Sequence, residues 1–255
     1  MLFQYAGNAT YGSYICRSMG QKKLIRFAAI KTFDNVLEYP TGMLGQWPSF
    51  FTNDHPIILE LACGRGEYAV GLGKMFPQKN FIGLDVKGNR IFIGAKYALE
   101  NGLTNVAFVR TEIDKVTEYF DANEVSEIWI TFPDPQLRIS KAKKRLTHPR
   151  FLRLYQQILK TGGKIHLKTD SPVLYNFTKT VIELYGLQII TDYNNIYQQA
   201  SEPELLDIRT HYESLDIAQS GRIHYLQFIL PMNPLPNNDE QLKEITNEQE
   251  LGREH

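Results

Sequence analysis

Between residue 57 and residue 230, short apolar runs of strand composition alternate with amphipathic helical patterns, and that alternation leaves few folds open. Ile57 to Leu61, Asn80 to Val86, Asn105 to Val109, Glu127 to Phe132 and Lys164 to Lys168 read as strands. Helical spacing runs from about Glu67 to Phe76, from Asn89 to Glu100 with Asn101-Gly102 as its stop, and from about Pro149 to Lys160 with Gly162-Gly163 as its stop. Ser171-Pro172 opens another helix with a capping hydroxyl and a proline at the first helical position, and Leu174, Phe177, Val181 and Leu184 share one stripe. Two later runs, Leu187 to Tyr193 and Ile223 to Leu230, are placed to close an edge. The expectation is an α/β fold with a doubly wound, mostly parallel, seven-stranded, Rossmann-like sheet, and such sheets bind ligands beyond the carboxyl ends of their strands.

Charge sharpens this reading. Twenty-eight Lys and Arg balance twenty-eight Asp and Glu over 255 residues, so net charge names no partner. Its distribution does: Gln136 to Thr169 contains no acid and ten bases, a local site for a polyanion in a neutral protein. Residues 232–255 hold six acids and two bases and few large apolar side chains, which reads as a disordered acidic tail, or as a short docking helix if Leu242, Ile245 and Leu251 find a surface. Residues 1–18 lack any helical or strand period and read as a floppy arm or as sequence preceding a true start at Met19. That leaves residues 19–231 as a single domain.

Cys16 and Cys63 are the only cysteines and suggest no disulfide framework, and no run of eighteen apolar residues or secretory leader is visible. A cytoplasmic protein that is not bound to membranes, monomeric or homodimeric, is expected. The six histidines have no metal-ligand spacing, and no Ser/His/Asp or Cys/His arrangement occurs, so no metal is expected.

The strand tips carry the chemistry. The first strand ends in Leu59-Glu60-Leu61-Ala62-Cys63-Gly64-Arg65-Gly66, whose glycines allow backbone to approach a ligand. Asp85, nineteen residues past Gly66, can accept hydrogen bonds from both hydroxyls of a ribose. Gly64-x-Gly66-x-x-Ala69 fits NAD and S-adenosylmethionine alike, but Glu60 would repel a pyrophosphate and suits a sulfonium and an ammonium. The fourth strand runs into Thr131-Phe132-Pro133-Asp134-Pro135, where flanking prolines hold the acid at the tip. Arg138, Lys143, Lys144 and Arg145 follow at the ligand end, where they can hold phosphates and bring a nucleic acid to the methyl donor. Thr169-Asp170 ends the fifth strand, and Arg209-Thr210-His211-Tyr212-Glu213 lies before the last one.

The string TFPDPQLRISKAKKRLTHPRFLR, with LELACGRGEY, FIGLDV, GGKIHLKTD and RTHYE, resembles the bacterial tRNA (guanine-N7-)-methyltransferase family over about Trp47 to Leu230. The resemblance implies the class I methyltransferase fold, S-adenosylmethionine as methyl donor, and methylation of N7 of the variable-loop guanosine, G46, of tRNA. It implies that Glu60, Asp85, Glu112 and Asp134 bind the donor, beside the Gly64 and Gly66 backbone read from the loop itself, that Asp134 is also catalytic, and that Arg138, Asp170 and Thr210, His211, Tyr212 and Glu213 contact substrate. Four positions depart from the family's usual residues: Ala62 for Gly, Gln136 for Trp, Arg138 for Lys and His211 for Lys. Ala62 is tolerable if its φ is negative, and Gln136 removes an aromatic surface from the neighbourhood of the target base.

Guanine N7 carries a lone pair and no proton, so its displacement at the sulfonium methyl needs positioning rather than a general base. Positive charge moves onto the purine, where Asp134 can stabilise it. Glu213 and Asp170 are candidates for reading the N1-H and N2 edge of guanine, with Glu213 preferred. Three alternatives differ in the loops they need. An NAD-dependent oxidoreductase would need a neutral pyrophosphate loop, an exocyclic-amine methyltransferase would show Asp/Asn-Pro-Pro-aromatic, and a non-catalytic RNA-binding protein could keep the same fold.

Overall fold

The computed structural model describes residues 21–199, 203–211, 213–215 and 221–251. Tyr212 and the arm at 1–18 lie outside these. A helix covering residues 21–30 (α1) leads into a short strand β1 (Val36–Glu38) and helix α2 (Trp47–Phe51). The alternating core follows: β2 (Ile57–Leu61), α3 (Glu67–Met75), β3 (Asn80–Asp85), α4 (Gly88–Glu100), β4 (Val106–Arg110), β5 (Val125–Thr131), α5 (Pro149–Ile158), β6 (Leu159–Thr169) and α6 (Pro172–Leu184). The chain ends with β7 (Gln188–Tyr193), the one-turn helices α7 (Ile196–Gln199) and α8 (Pro203–Leu206), β8 (His224–Ile229) and α9 (Asp239–Leu251).

The sheet has eight strands in the order β1-β4-β3-β2-β5-β6-β8-β7. β1 is the addition to the seven expected. Its three residues pair parallel with β4 through Val36–Phe108 to Glu38–Arg110, too short a run for periodicity to reveal. The first six strands in the sheet order are parallel; β8 runs antiparallel to β6 and to β7, so the edge strand β7 points the same way as the first six. Their apolar sequences follow from burial on both faces: β2 and β3 are buried at every position. From β2 the chain winds outward through β3 and β4, then returns to the other side of β2 as β5. The switch point therefore lies between β2 and β5, where the loops diverge and leave a crevice.

Two apolar layers cover the sheet. One is built on Trp47, Phe120, Leu152, Tyr155, Leu174 and Phe177, the other on Tyr68, Ile91, Ala95, Phe108 and Trp129. Phe108 on β4 organises the second layer. A side chain at Gly66, Gly83 or Gly94 would place its Cβ within 2.3, 2.8 or 2.9 Å of that ring. Loop, strand and helix close on one phenylalanine because each offers it a glycine.

The helix before the fifth core strand stops at Ile158 rather than at Lys160, and Gly162-Gly163 falls within β6 instead of capping the helix. Val125 pairs with Leu159 and Glu127 with Lys164, so residues 160–163 face Ser126 alone and bulge out, with Gly162 at φ +75°. The acidic stretch beyond 231 is not a disordered tail as far as residue 251. Arg153 donates to both carboxylate oxygens of Asp239 (3.0 and 2.7 Å), Leu242 and Thr246 are buried, and Ile245 is half-buried, which gives α9 its packed stripe. Among the described residues no helix is long and apolar enough to cross a membrane.

Candidate active site

Three acids stand at the tips of neighbouring strands. Glu60, the fourth residue of β2, is buried, and its Oε2 accepts the Ala69 amide hydrogen (2.8 Å) in the first turn of α3. Its Oε1 accepts the Thr131 hydroxyl (3.1 Å) from the end of β5, across the switch point. Burial is the dominant influence on this carboxyl and pushes its pKa up to about 8, against the lowering effect of the amide and hydroxyl bonds. Its partners are amides and a hydroxyl, not a cation.

Asp85 ends β3. Its Oδ2 accepts the Gly64 amide hydrogen (2.9 Å) and its Oδ1 that of Lys87 (2.8 Å), so the acid shapes the glycine loop as well as facing the crevice. Gly64 and Gly66 hold φ of +57° and +71°, the conformation their missing Cβ permits. Ala62 shares that region at φ +53°, so the condition of a negative φ under which it would be tolerable is not met; an alanine there is strained, by about 1 to 2 kcal/mol.

The Pro133-Asp134-Pro135 loop is braced at both ends. The Phe132 amide donates to the Lys168 carbonyl (2.8 Å), and the buried Arg145 donates to the carbonyls of Pro135 (3.2 Å) and Gln136 (3.1 Å) while stacking over Phe177. Phe132 and Gln136 take φ of +46° and +48°, so Arg145 holds a loop that would otherwise relax. Asp134 is exposed between them, and its Oδ1 accepts the Gln136 amide hydrogen (3.0 Å). Arg145 therefore differs from the phosphate contact expected of it: it is 1% exposed and committed to carbonyls. Arg138 stays exposed at the head of a 3-10 segment (Ile139–Lys144) directly after the loop, and Lys143 and Lys144 stay exposed at its end.

The Thr210 segment is tied to β6 and to the start of α3. Thr210 Oγ1 accepts the Glu213 amide hydrogen (3.1 Å), the pattern of a capping box, and the Glu213 carboxylate reaches back toward the Thr210 amide (3.4 Å). Glu213 Oε2 meets Lys168 Nζ at 2.9 Å, and Oε1 accepts the Tyr197 hydroxyl (2.7 Å). Lys168 is fully buried near the end of β6, donates also to the Leu206 carbonyl (2.6 Å), and has its pKa lowered by that burial, against the raising effect of Glu213. Both Glu213 oxygens are thus engaged inside the protein, which displaces Glu213 from the preferred role of reading the guanine edge. The His211 amide donates to Glu67 Oε1 (3.2 Å) at the start of α3, tying the segment to the glycine loop's helix. Asp170 is half-buried immediately after β6. Glu112 is exposed after β4, 3.9 Å from Lys115.

Thus Glu60, Gly64, Gly66, Asp85 and Asp134 gather at the strand tips, with Arg138, Lys143 and Lys144 flanking them. Thr131, Glu67 and Lys168 belong to the same site but carry no sequence signal of their own; Lys168 is hidden among the ten bases of its stretch. The donor set fits S-adenosylmethionine: a buried carboxyl that suits a cation, a strand-tip carboxylate that suits a ribose, and glycine backbone between them. Among the described residues no group of three or more His, Cys, Asp or Glu could hold a metal.

A methyltransferase family model described as "Putative methyltransferase" matches residues 54–226. A tRNA (guanine-N(7)-)-methyltransferase of Porphyromonas gingivalis is 50% identical over 211 residues, covering 78% of this chain and 86% of that protein. One from Bacteroides thetaiotaomicron is 46% identical over 222 residues, 84% and 87% of the two chains. In fold, the chain is similar to the 16S rRNA methyltransferase KamB, with a TM-score of 0.56 at 14% identity over 73% of this chain and 94% of that one. It is also similar to a 16S rRNA (adenine(1408)-N(1))-methyltransferase from Catenulisporales acidiphilia with cosubstrate S-adenosylmethionine, at a TM-score of 0.53 and 13% identity over 74% and 91%. The fold is that of the class I methyltransferases, and at half identity over most of both chains this chain belongs to the tRNA (guanine-N(7)-)-methyltransferase family.

Proposed function

We propose that this chain transfers the methyl group of S-adenosylmethionine to N7 of a tRNA guanosine, and that the target is the variable-loop G46. The observation that carries the reading is the rigidly braced Asp134 at the switch point, followed at once by the exposed cations Arg138, Lys143 and Lys144. S-adenosylmethionine supplies an electrophilic methyl on a sulfonium.

Glu60 and Asp85 orient the donor's cationic and ribose ends, and the glycine backbone lets them come close. Arg138, Lys143 and Lys144 hold phosphates flanking the target, which fixes register without reading bases. Asp134 faces the purine as it becomes cationic. No side chain need remove a proton from N7, so the site works by alignment and by charge placed in advance. Asp170, at the tip of β6, is the remaining acid for the guanine pairing edge.

Calorimetry with S-adenosylmethionine followed by methyl transfer to unmodified tRNA tests the reading. The expected result is donor binding and 7-methylguanosine at position 46, lost when that nucleotide is adenosine. Donor binding without transfer would leave an RNA-binding protein on a methyltransferase fold, and a methylated exocyclic amine would move the reaction off N7.

A further inference from the structure

Tyr197 is 55% exposed, yet it is held at both ends. Its hydroxyl donates to Glu213 Oε1 at 2.7 Å, and its backbone amide donates to Asn195 Oδ1 at 3.2 Å. Its neighbour Ile196 is buried and bonded through its amide to the Ile223 carbonyl (2.9 Å). Through Glu213 the ring is linked to Lys168, whose ammonium lies 5.4 Å from the Tyr68 ring and 5.5 Å from the Phe132 ring, and whose carbonyl holds the Phe132 amide. Two side-chain hydrogen bonds lead from an exposed aromatic face to Lys168, and a third contact leads from Lys168 to Phe132, which opens the Pro133-Asp134-Pro135 loop.

Leaving an aromatic ring in water while fixing it gains the fold nothing by burial. Among the described residues the other exposed tyrosines are different: Tyr39 carries Arg110 and Lys115 over its ring, and Tyr97 carries Lys74. The loop around Asp134 offers no exposed aromatic of its own, only Gln136 and the 60% exposed Leu137. A reaction at a base atom in folded RNA takes that nucleotide out of its stack, and a fixed aromatic face restores the lost stacking without ordering cost at binding.

We propose that the Tyr197 ring is a stacking platform for a nucleobase displaced from the tRNA at the methylation site. This rests on the reading of the chain as a tRNA N7-methyltransferase. The hydroxyl positions the ring; the ring makes the contact.

Three variants separate ring from hydroxyl: Tyr197→Phe keeps the face, Tyr197→Leu keeps bulk without a face, and Tyr197→Ala removes both. Steady-state methylation of unmodified tRNA, tRNA binding by filter retention and S-adenosylmethionine calorimetry are measured on each full chain. The expected result is a loss of about tenfold or more in kcat/KM and in tRNA affinity for Ala and Leu, carried mainly by KM, against about twofold or less for Phe, with donor affinity constant. Wild-type behaviour of Ala or Leu overturns the platform. A Phe loss equal to that of Ala overturns it too, because the hydroxyl latch would then be what matters. If the wild type binds tRNA but forms no 7-methylguanosine, the functional reading fails, and the binding series alone still decides whether Tyr197 stacks.

Discussion

The Thr131 hydroxyl donates to Glu60 Oε1 at 3.1 Å, so the ends of β5 and β2 are joined by a hydrogen bond across the one place where the sheet's winding reverses. The carboxyl at that junction is buried, and its raised pKa makes it a neutral acid in the absence of a cation.

That property gives a pH dependence with a definite sign. Unfolded, the Glu60 carboxyl ionises at its ordinary value near 4.5; folded, it holds its proton up to about 8. Its contribution to stability is present below 4.5 and is lost as pH rises through 8. Melting curves of the Glu60→Gln variant should therefore fall less than wild type between about pH 5 and pH 9. Binding a cationic donor favours the carboxylate, so calorimetry at pH 7 in buffers of different ionisation enthalpy should show proton release for wild type and less for Glu60→Gln. Equal release from both proteins would remove Glu60 from contact with the donor's charge.

Ala62 at φ +53° is a strained alanine in a loop of glycines. Ala62→Gly should raise stability by about 0.5 to 1 kcal/mol, the relief of left-handed strain less the added chain entropy of glycine. A thermal shift of a few degrees upward is the expected readout, with donor affinity unchanged or improved.

The basic run divides in two. Lys143→Ala with Lys144→Ala should weaken tRNA binding and reduce its log-log salt slope by about 1.5 to 2, because two phosphate contacts go, while melting temperature stays put. Arg145→Ala should lower melting temperature and methylation rate with little change in salt slope, since its guanidinium spans the Pro135 and Gln136 carbonyls of the Asp134 loop. A salt slope equal to wild type in the double lysine variant would make those lysines a solvated face.

Asp134→Asn keeps an oxygen to accept the Gln136 amide hydrogen, so the loop survives and only the charge is lost. The rate of methyl transfer should fall more than tRNA affinity, as expected for charge that matters when the purine turns cationic. Equal losses in both would make Asp134 a binding residue alone.

Much of this site could be seen in the sequence because each strand tip announces itself. Apolar runs on doubly buried strands such as β2 and β3 stop at Glu60 and Asp85, and prolines frame Asp134. What could not be seen depends on distance in the chain. Arg145 and Lys144 are neighbours in one basic run, and only the Pro135 and Gln136 carbonyls decide that Arg145 turns inward. Glu213 resembles a substrate acid until Lys168, forty-five residues earlier, is found against it. β1 escaped because three residues cannot show a period, and α9 was legible only as the alternative to a disordered tail because its stripe is one buried leucine, one half-buried isoleucine and one buried threonine. The sign of φ at Ala62 is a property of the loop's closure onto Asp85, which composition does not carry.

Phe108 gives these positions a shared history as well as a shared space. Because Gly66, Gly83 and Gly94 all rest on its ring, none can gain a methyl group while that ring stays where it is. The constraint runs one way: a smaller residue at 108 would give room only beside Gly83, because Gly66 keeps its φ of +71° and a side chain at Gly94 would still meet the Arg65 carbonyl oxygen at 2.3 Å. Relatives that keep Phe108 should therefore keep all three glycines, although these lie as much as forty-two residues from it in the chain.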